Sequence, residues 1–113
     1  MKVTEGDSYL VYDNTKISDL VQGPEQANFD SVISRVDGYH PEGDVEKIFN
    51  KRSQKAYYIL EGEGKIYVGE NVHEVQKGEF VYVPKRTGHA LEGNFRTLII
   101  TSPQFNPEDE ELR

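Results

Sequence analysis

AYYILEGEGKIYVGENVHEVQKGEFVYVPKRTGHALEGNFRTLIIT, residues 56–101, decides the fold class. Six short runs within it, at 56–61, 65–69, 71–75, 79–84, 89–93 and 95–101, are rich in Tyr, Phe, Val and Ile and bounded by Gly, Pro or Asn. Branched and aromatic side chains suit a pleated, half-buried surface, and the punctuating residues suit tight turns. With EKIFNK at 46–51 this makes seven short strands in succession. No long helical pattern intervenes, so the strands pair antiparallel and close into a sandwich or barrel rather than a parallel α/β sheet.

Upstream, FDSVISRV at 29–36 reads as a further strand ending at Asp37-Gly38, a pair suited to a tight turn, and YHPEGD at 39–44 reads as loop. Residues 9–12 give a short opening strand. DNTKISDLVQGPEQAN, 13–28, carries turn formers around one helical turn that would place Ile17, Leu20 and Val21 on a shared side. Downstream, PQFNPEDEELR at 103–113 turns acidic and loses its β formers. The expected organisation is one all-β domain over 1–103, with a lead-in of about residues 1–28. Residues 104–113 then form an acidic arm, which Phe105 would anchor, or a disordered end.

A chain of 113 residues supports a single core and no second domain. It has no cysteine, which rules out disulfides, thiolate metal sites and thiol catalysis. The N-terminal MKVTEGDSYLVYD lacks a basic stretch followed by an apolar run, and no segment is apolar for long enough to span a bilayer as a helix, so a cytoplasmic location is expected. The formal charge of −7 opposes attraction to nucleic acid and to anionic membranes. Six of the 13 bases nevertheless fall in two short windows, at Lys47, Lys51, Arg52 and Lys55 and at Lys85 and Arg86.

Two windows carry a family pattern. In GEFVYVPKRTGH, residues 78–89, Gly78 is followed by five residues, then Pro84, then four residues and His89. Glycine turns the chain into the strand and proline ends it where no ladder donor is needed, so the next loop delivers His89 to the mouth of the barrel. With EGEG at 61–64 ahead of it, this spacing resembles the second motif of the cupin superfamily, in its small single-domain form. Arg86 stands at that motif's inner glycine and Gly93 at its terminal asparagine. The first motif aligns as Gly43, Phe49, Lys51, Lys55 and Gly62, with every spacing kept. Phe49 and Lys51 occupy the two places where the family has metal-binding histidines, and Lys55 that of the glutamate.

The resemblance implies a double-stranded β-helix, or jelly-roll barrel, and in many family members a metal enzyme. The substitutions argue against the metal. A first-row divalent ion wants imidazoles and carboxylate, phenylalanine offers no lone pair, and an ammonium brings like charge. No metal or other cofactor is expected, the alternative being an unconventional divalent site built from His40 and His89. In the aligned register Phe49 and Lys51 face inward on one strand and Lys55, Tyr57 and Ile59 on the next. Phe49, Lys51, Lys55, Tyr57 and His89 are then the ligand-binding candidates, with His89 as catalytic acid or base and the lysines as a clamp for an anionic sugar derivative, carboxylate or phosphate. Isomerase or epimerase chemistry fits such a site. A slip of one residue would instead turn the lysines outward and bring Ile48 and Asn50 in. The remaining alternatives are a non-catalytic binding module and a dimeric scaffold, since both faces of AYYILE are apolar enough to bury, and a homodimer is expected. Tyr57, Tyr58, Tyr67 and Tyr82 read first as sheet packing, His40 and His73 as solvated residues, and Lys85 and Arg86 as a loop tip.

Overall fold

A computed structural model describes residues 2–11, 15–21, 28–41 and 47–113. The Gly43 end of the first-motif alignment lies outside these residues. The chain forms β1 (Ser8–Val11), β2 (Thr15–Val21), β3 (Asp30–His40), β4 (Ile48–Asn50), β5 (Gln54–Val68), β6 (Asn71–Gln76), β7 (Phe80–Val83), β8 (His89–Ser102), a 3-10 helix (Pro107–Asp109) and β9 (Glu110–Leu112). All the strand pairs are antiparallel, and the sheet curls into a jelly-roll barrel. No helix among the described residues is long and apolar enough to cross a membrane.

Three long strands organise the barrel. β8 lies between β3 and β5 and pairs with both along almost its whole length, from Asp30↔Thr101 to His40↔Leu91 and from Gln54↔Ser102 to Val68↔His89. β1 and β2 extend the sheet beyond β3, β6 and β7 pair with successive halves of β5, and β4 joins the start of β8 to β9. Odd-numbered residues of β8 point inward from His89 to Thr101, opposite Lys55, Tyr57 and Ile59 in the first half of β5 and opposite Gly62, Gly64, Ile66 and Val68 in the second. The parity of β5 changes because the ladder shifts between Ile59 and Glu61. This bulge takes up one residue, and without it Ile66 and Val68 would turn to solvent.

The seven short strands expected between residues 46 and 101 are therefore five, because 56–61 joins 65–69 in β5 and 89–93 joins 95–101 in β8. Likewise Asp37-Gly38 is no turn, and β3 continues through it to His40. The segment expected as a helical turn around Ile17 is β2, paired on one side with β1 and on the other with β3. In β3, β5 and β8 glycines that looked like punctuation sit within continuous ladders. Gly38, Gly93 and Gly64 are aligned side by side across β3, β8 and β5. A Cβ on Gly64 would lie 2.8 Å from the Phe95 ring and 2.3 Å from the Glu92 carbonyl oxygen, so the strands are drawn together there as no side chain would allow. Phe95, Ile59, Ile66, Val36, Val75, Val83 and Leu91 fill this part of the barrel.

The C-terminal stretch, expected as an arm or a disordered end beyond residue 103, is built into the sheet. β9 pairs with β4, and the buried Asp109 carboxylate accepts from Arg52 N at 2.6 Å and Ser53 N at 3.1 Å. Gly64→Ala is expected to destabilise the fold by about 2 kcal/mol, within the range for overpacking a filled core. Gly78→Ala, at a positive φ with nothing near its Cβ, should cost about half as much. Urea unfolding of the two variants checks the order.

Candidate functional site

Where the apolar filling stops, the barrel encloses a cavity of about 420 Å³. Its wall combines Ser34 and His40 from β3, Lys55 and Tyr57 from β5, Thr101 from β8 and Glu110 from β9, among apolar residues such as Ile48 and Ile99. β3 supplies its residues by simple alternation, since Val32, Ser34, Val36, Gly38 and His40 fall on one side of an extended strand. His40 is thus a buried strand residue, not the solvated loop residue expected. Its Nδ1 lies 3.1 Å from Thr15 Oγ1 on β2. Burial, reinforced by the Lys55 charge, lowers its pKa from 6.5 to about 4, so the ring is neutral at pH 7.

Lys55 reaches the cavity from the inner face of β5 with only 11% of its side chain exposed, and its Nζ lies 3.7 Å from Glu110 Oε2. Burial disfavours the ammonium, and the carboxylates of Glu110 and Asp109 favour it; the net effect is a lowered pKa. Burial raises the Tyr57 pKa, with help from the Glu110 charge, so the phenol keeps its proton. His89 does not line the cavity. It is fully buried, packs its ring 5.9 Å from that of Tyr57, and lies with Nδ1 3.5 Å from the Thr87 carbonyl oxygen. Among the described residues its Nε2 is buried without a hydrogen-bond partner, and burial followed by the Lys55 charge lowers its pKa to about 3.

Of the expected ligand-binding set, the structure brings Lys55 and Tyr57 to the cavity, with His89 against Tyr57, and leaves Phe49 and Lys51 outside. On β4 it is Ile48 and Asn50 that are buried. Phe49 lies under the Arg113 guanidinium, 3.8 Å from its ring centroid, and Lys51 pairs with Glu111 at 3.5 Å near solvent. β4 is only three residues long and takes its partner Glu110–Leu112 from the C-terminus, so the motif spacing alone could not reveal which of its faces turns inward. The expected two-lysine clamp is therefore one lysine with a carboxylate partner. Asp19 and Asp30 on the same wall add further negative charge. The period-two pattern of β3, followed past Gly38, would have found His40. No comparable sequence signal marks Glu110.

The donor set does not suit the family's metal. No cluster of three or more His, Asp or Glu that could hold a cation occurs among the described residues, and the Lys55 charge disfavours a cation beside either imidazole.

Residues 37–100 match the family model for a cupin domain. An uncharacterized protein of Methanocaldococcus jannaschii is 38% identical over 64 residues, which are 53% of this chain and 51% of that protein, so the match spans about half of the curated relative's length. Among solved structures, the Streptomyces nucleoside dehydratase Pac13 superposes with a TM-score of 0.84 at 22% identity, covering 100% of this chain and 90% of the other. Ectoine synthase from P. lautus gives 0.73 at 17% identity over 95% and 80% of the two chains. KdgF from Halomonas gives 0.72 at 15% identity over 90% of each. At these identities the solved structures attest the fold.

The imidazoles make stability depend on pH. Their pKa values lie below 6.5 in the folded protein, at about 4 and about 3, so the unfolded chain binds the extra protons. Their contribution is complete above pH 6.5 and is lost as pH falls toward those values. Between pH 6.5 and 5, where carboxylates change little, the urea midpoint should fall with pH, and less steeply in His89→Asn than in the unaltered protein.

Proposed function

The chain belongs to the cupin family, and we propose that it is a metal-independent acid–base enzyme acting on a small sugar-like metabolite that bears a carbonyl group. One observation carries the reading: the cavity wall presents a neutral imidazole, His40, with Nδ1 at a threonine hydroxyl and a buried lysine close enough to bias it electrostatically. A neutral, oriented imidazole accepts a proton from carbon next to a carbonyl. The negative charge that then builds on the carbonyl oxygen is offset by the Lys55 ammonium and by a hydrogen bond from the Tyr57 phenol, both sheltered from water. Returning the proton to the same carbon from the other side epimerises it; returning it to the former carbonyl carbon, while the neighbouring hydroxyl proton passes to the former carbonyl oxygen, isomerises; and giving it to a β-hydroxyl that leaves as water dehydrates. His89 packs against Tyr57 and serves as a positioning residue.

The wall's charges refine the ligand class. One ammonium set among Glu110, Asp19 and Asp30 suits a ligand with hydroxyls and a single polar or charged oxygen better than a multiply charged phosphate. Ser34 and Thr101 add hydroxyls for such a ligand. Variants of the similar nucleoside dehydratase have been solved with uridine, which makes the sugar-bearing class a natural first choice.

D-glyceraldehyde in D2O provides the probe, with proton NMR reading deuterium uptake next to the carbonyl. The unaltered protein is expected to catalyse the exchange, and His40→Gln to lower the enzymatic rate about 100-fold, the usual size of a general-base contribution. A rate equal to that of buffer, or equal in protein and variant, overturns the reading.

The chain also works as a homodimer in this reading. Ala56, Tyr58, Leu98, Ile100, Phe80 and Tyr82 form an uncharged outer face across β5, β8 and β7, and Phe80 is 60% exposed and Tyr82 52%. A two-fold contact brings each patch against its own copy, so a chain of net charge −7 pairs most readily through a face without charges. Light scattering after gel filtration should give twice the chain mass for the unaltered protein and the chain mass for Phe80→Lys combined with Tyr82→Lys. A monomer for the unaltered protein at about 100 μM, well above typical dissociation constants for stable dimers, would exclude the dimer.

A further inference from the structure

The proton transfer assigned to His40 uses Lys55 only for its charge, yet the structure gives its amine a second capability. Among the described residues Lys55 is the one lysine or arginine on the cavity wall. Thr101 lies across the ladder from it and Tyr57 two positions along its own strand. The charged and titratable groups facing it are Glu110 and Asp109 from the C-terminal segment, His40 from β3 and His89 from β8. Ile48, Tyr57 and Ile99 make the surrounding wall apolar. In such a setting the ammonium loses hydration that the exposed Lys65, Lys77 and Lys85 keep, and a larger share of the amine is free to attack carbon.

We propose that Lys55 captures aldehydes entering the cavity as an imine, with the Glu110 carboxylate carrying the proton. The inference rests on the preceding reading only for the carbonyl class of the ligand. The Lys55 ammonium gives a proton to Glu110, whose Oε2 lies 3.7 Å away. The freed nitrogen lone pair bonds to the carbonyl carbon, and a proton moves from that nitrogen to the oxygen, giving a carbinolamine. Glu110 then returns its proton to the carbinolamine hydroxyl, which leaves as water while the nitrogen lone pair forms the C=N bond. Lysine ammonium and aldehyde become protonated imine and water, the carboxylate is regenerated, and no oxidant or reductant is consumed. The cavity's 420 Å³ accommodates a two- or three-carbon hydroxyaldehyde with room to spare.

The full chain is treated at pH 7 with glycolaldehyde and sodium cyanoborohydride, and the reduced adducts are located by peptide mass mapping. Lys55 is expected to be modified at least tenfold faster than Lys65, Lys77 and Lys85, despite being the most buried of the four. Lys55→Arg keeps the cation and should lose the cavity adduct alone. His40→Gln should lose deuterium exchange and keep the adduct, which separates this inference from the acid–base reading. Modification that follows exposure, with Lys55 slowest, overturns the proposal, and the comparison within the unaltered protein stands even where a variant fails to fold.

Discussion

The line of three glycines across the central strands is the constraint on which the site depends. His40 and Lys55 stand opposite residues of β8 ten positions apart, Leu91 and Thr101. In a straight ladder that is roughly 33 Å. Both nevertheless line one cavity, so the sheet must fold back on itself between them. Gly38, Gly93 and Gly64 meet within this stretch, where the β5 and β8 backbones approach too closely for a Cβ and where Gly38 and Gly93 take positive φ angles of 109° and 136°. Phe95 then lies over Gly64 and closes the apolar half of the barrel. An imidazole and an amine paired to the two ends of β8 come to line one cavity from strands rather than from loops.

Strand composition made the all-β class legible, and the Gly and Pro spacings made the barrel legible. Glycine's role did not follow, because turns and creases ask for the same residue. The Asp37-Gly38 pair reads locally as a hairpin turn, and only its pairing with Asn94 and Gly93 shows a strand passing through. The same ambiguity hid the inward-facing His40. For β5 the sequence pointed to the inner face correctly, since Lys55, Tyr57 and Ile59 alternate within a long strand having partners on both sides. For β4 it did not. Three residues carry little pattern, and the partner that sets their orientation is more than fifty positions away in the chain.

Part of the inner face is polar, with Ser34, His40, Asn50, His89, Thr97 and Thr101 all buried. Among the described residues, Ser34 Oγ, both polar atoms of the Asn50 amide and His89 Nε2 are buried without a hydrogen-bond partner. Each such group left unsatisfied costs about 1–3 kcal/mol, so an apolar replacement of similar shape would stabilise the fold. Asn50 stands opposite Glu110 across the β4–β9 pair, and Ile48 on the same face stands opposite His89. Ser34 is on the cavity wall itself, and Asn50 and His89 are paired across strands with the lining residues Glu110 and Ile48. A barrel selected for stability alone would have filled this space with aliphatic side chains, as it does around Ile59 and Ile66.

The buried lysine ties the two ends of the chain's chemistry together. An ammonium inside a barrel is tolerated only with a partner, and removing one member of a buried pair leaves an uncompensated charge. That partner, Glu110, comes from the last strand, which is anchored by Asp109 on the Arg52 and Ser53 amides and by the backbone bonds between Arg113 and Lys47. An acidic C-terminal stretch that resembles a solvated tail is therefore part of the electrostatic balance of the cavity. Its carboxylates favour the ammonium form of Lys55, whose charge in turn adds to burial in lowering the basicity of His40. In this fold the acid–base character of an imidazole on β3 is adjusted from a strand some seventy residues later, through the single lysine that both of them face.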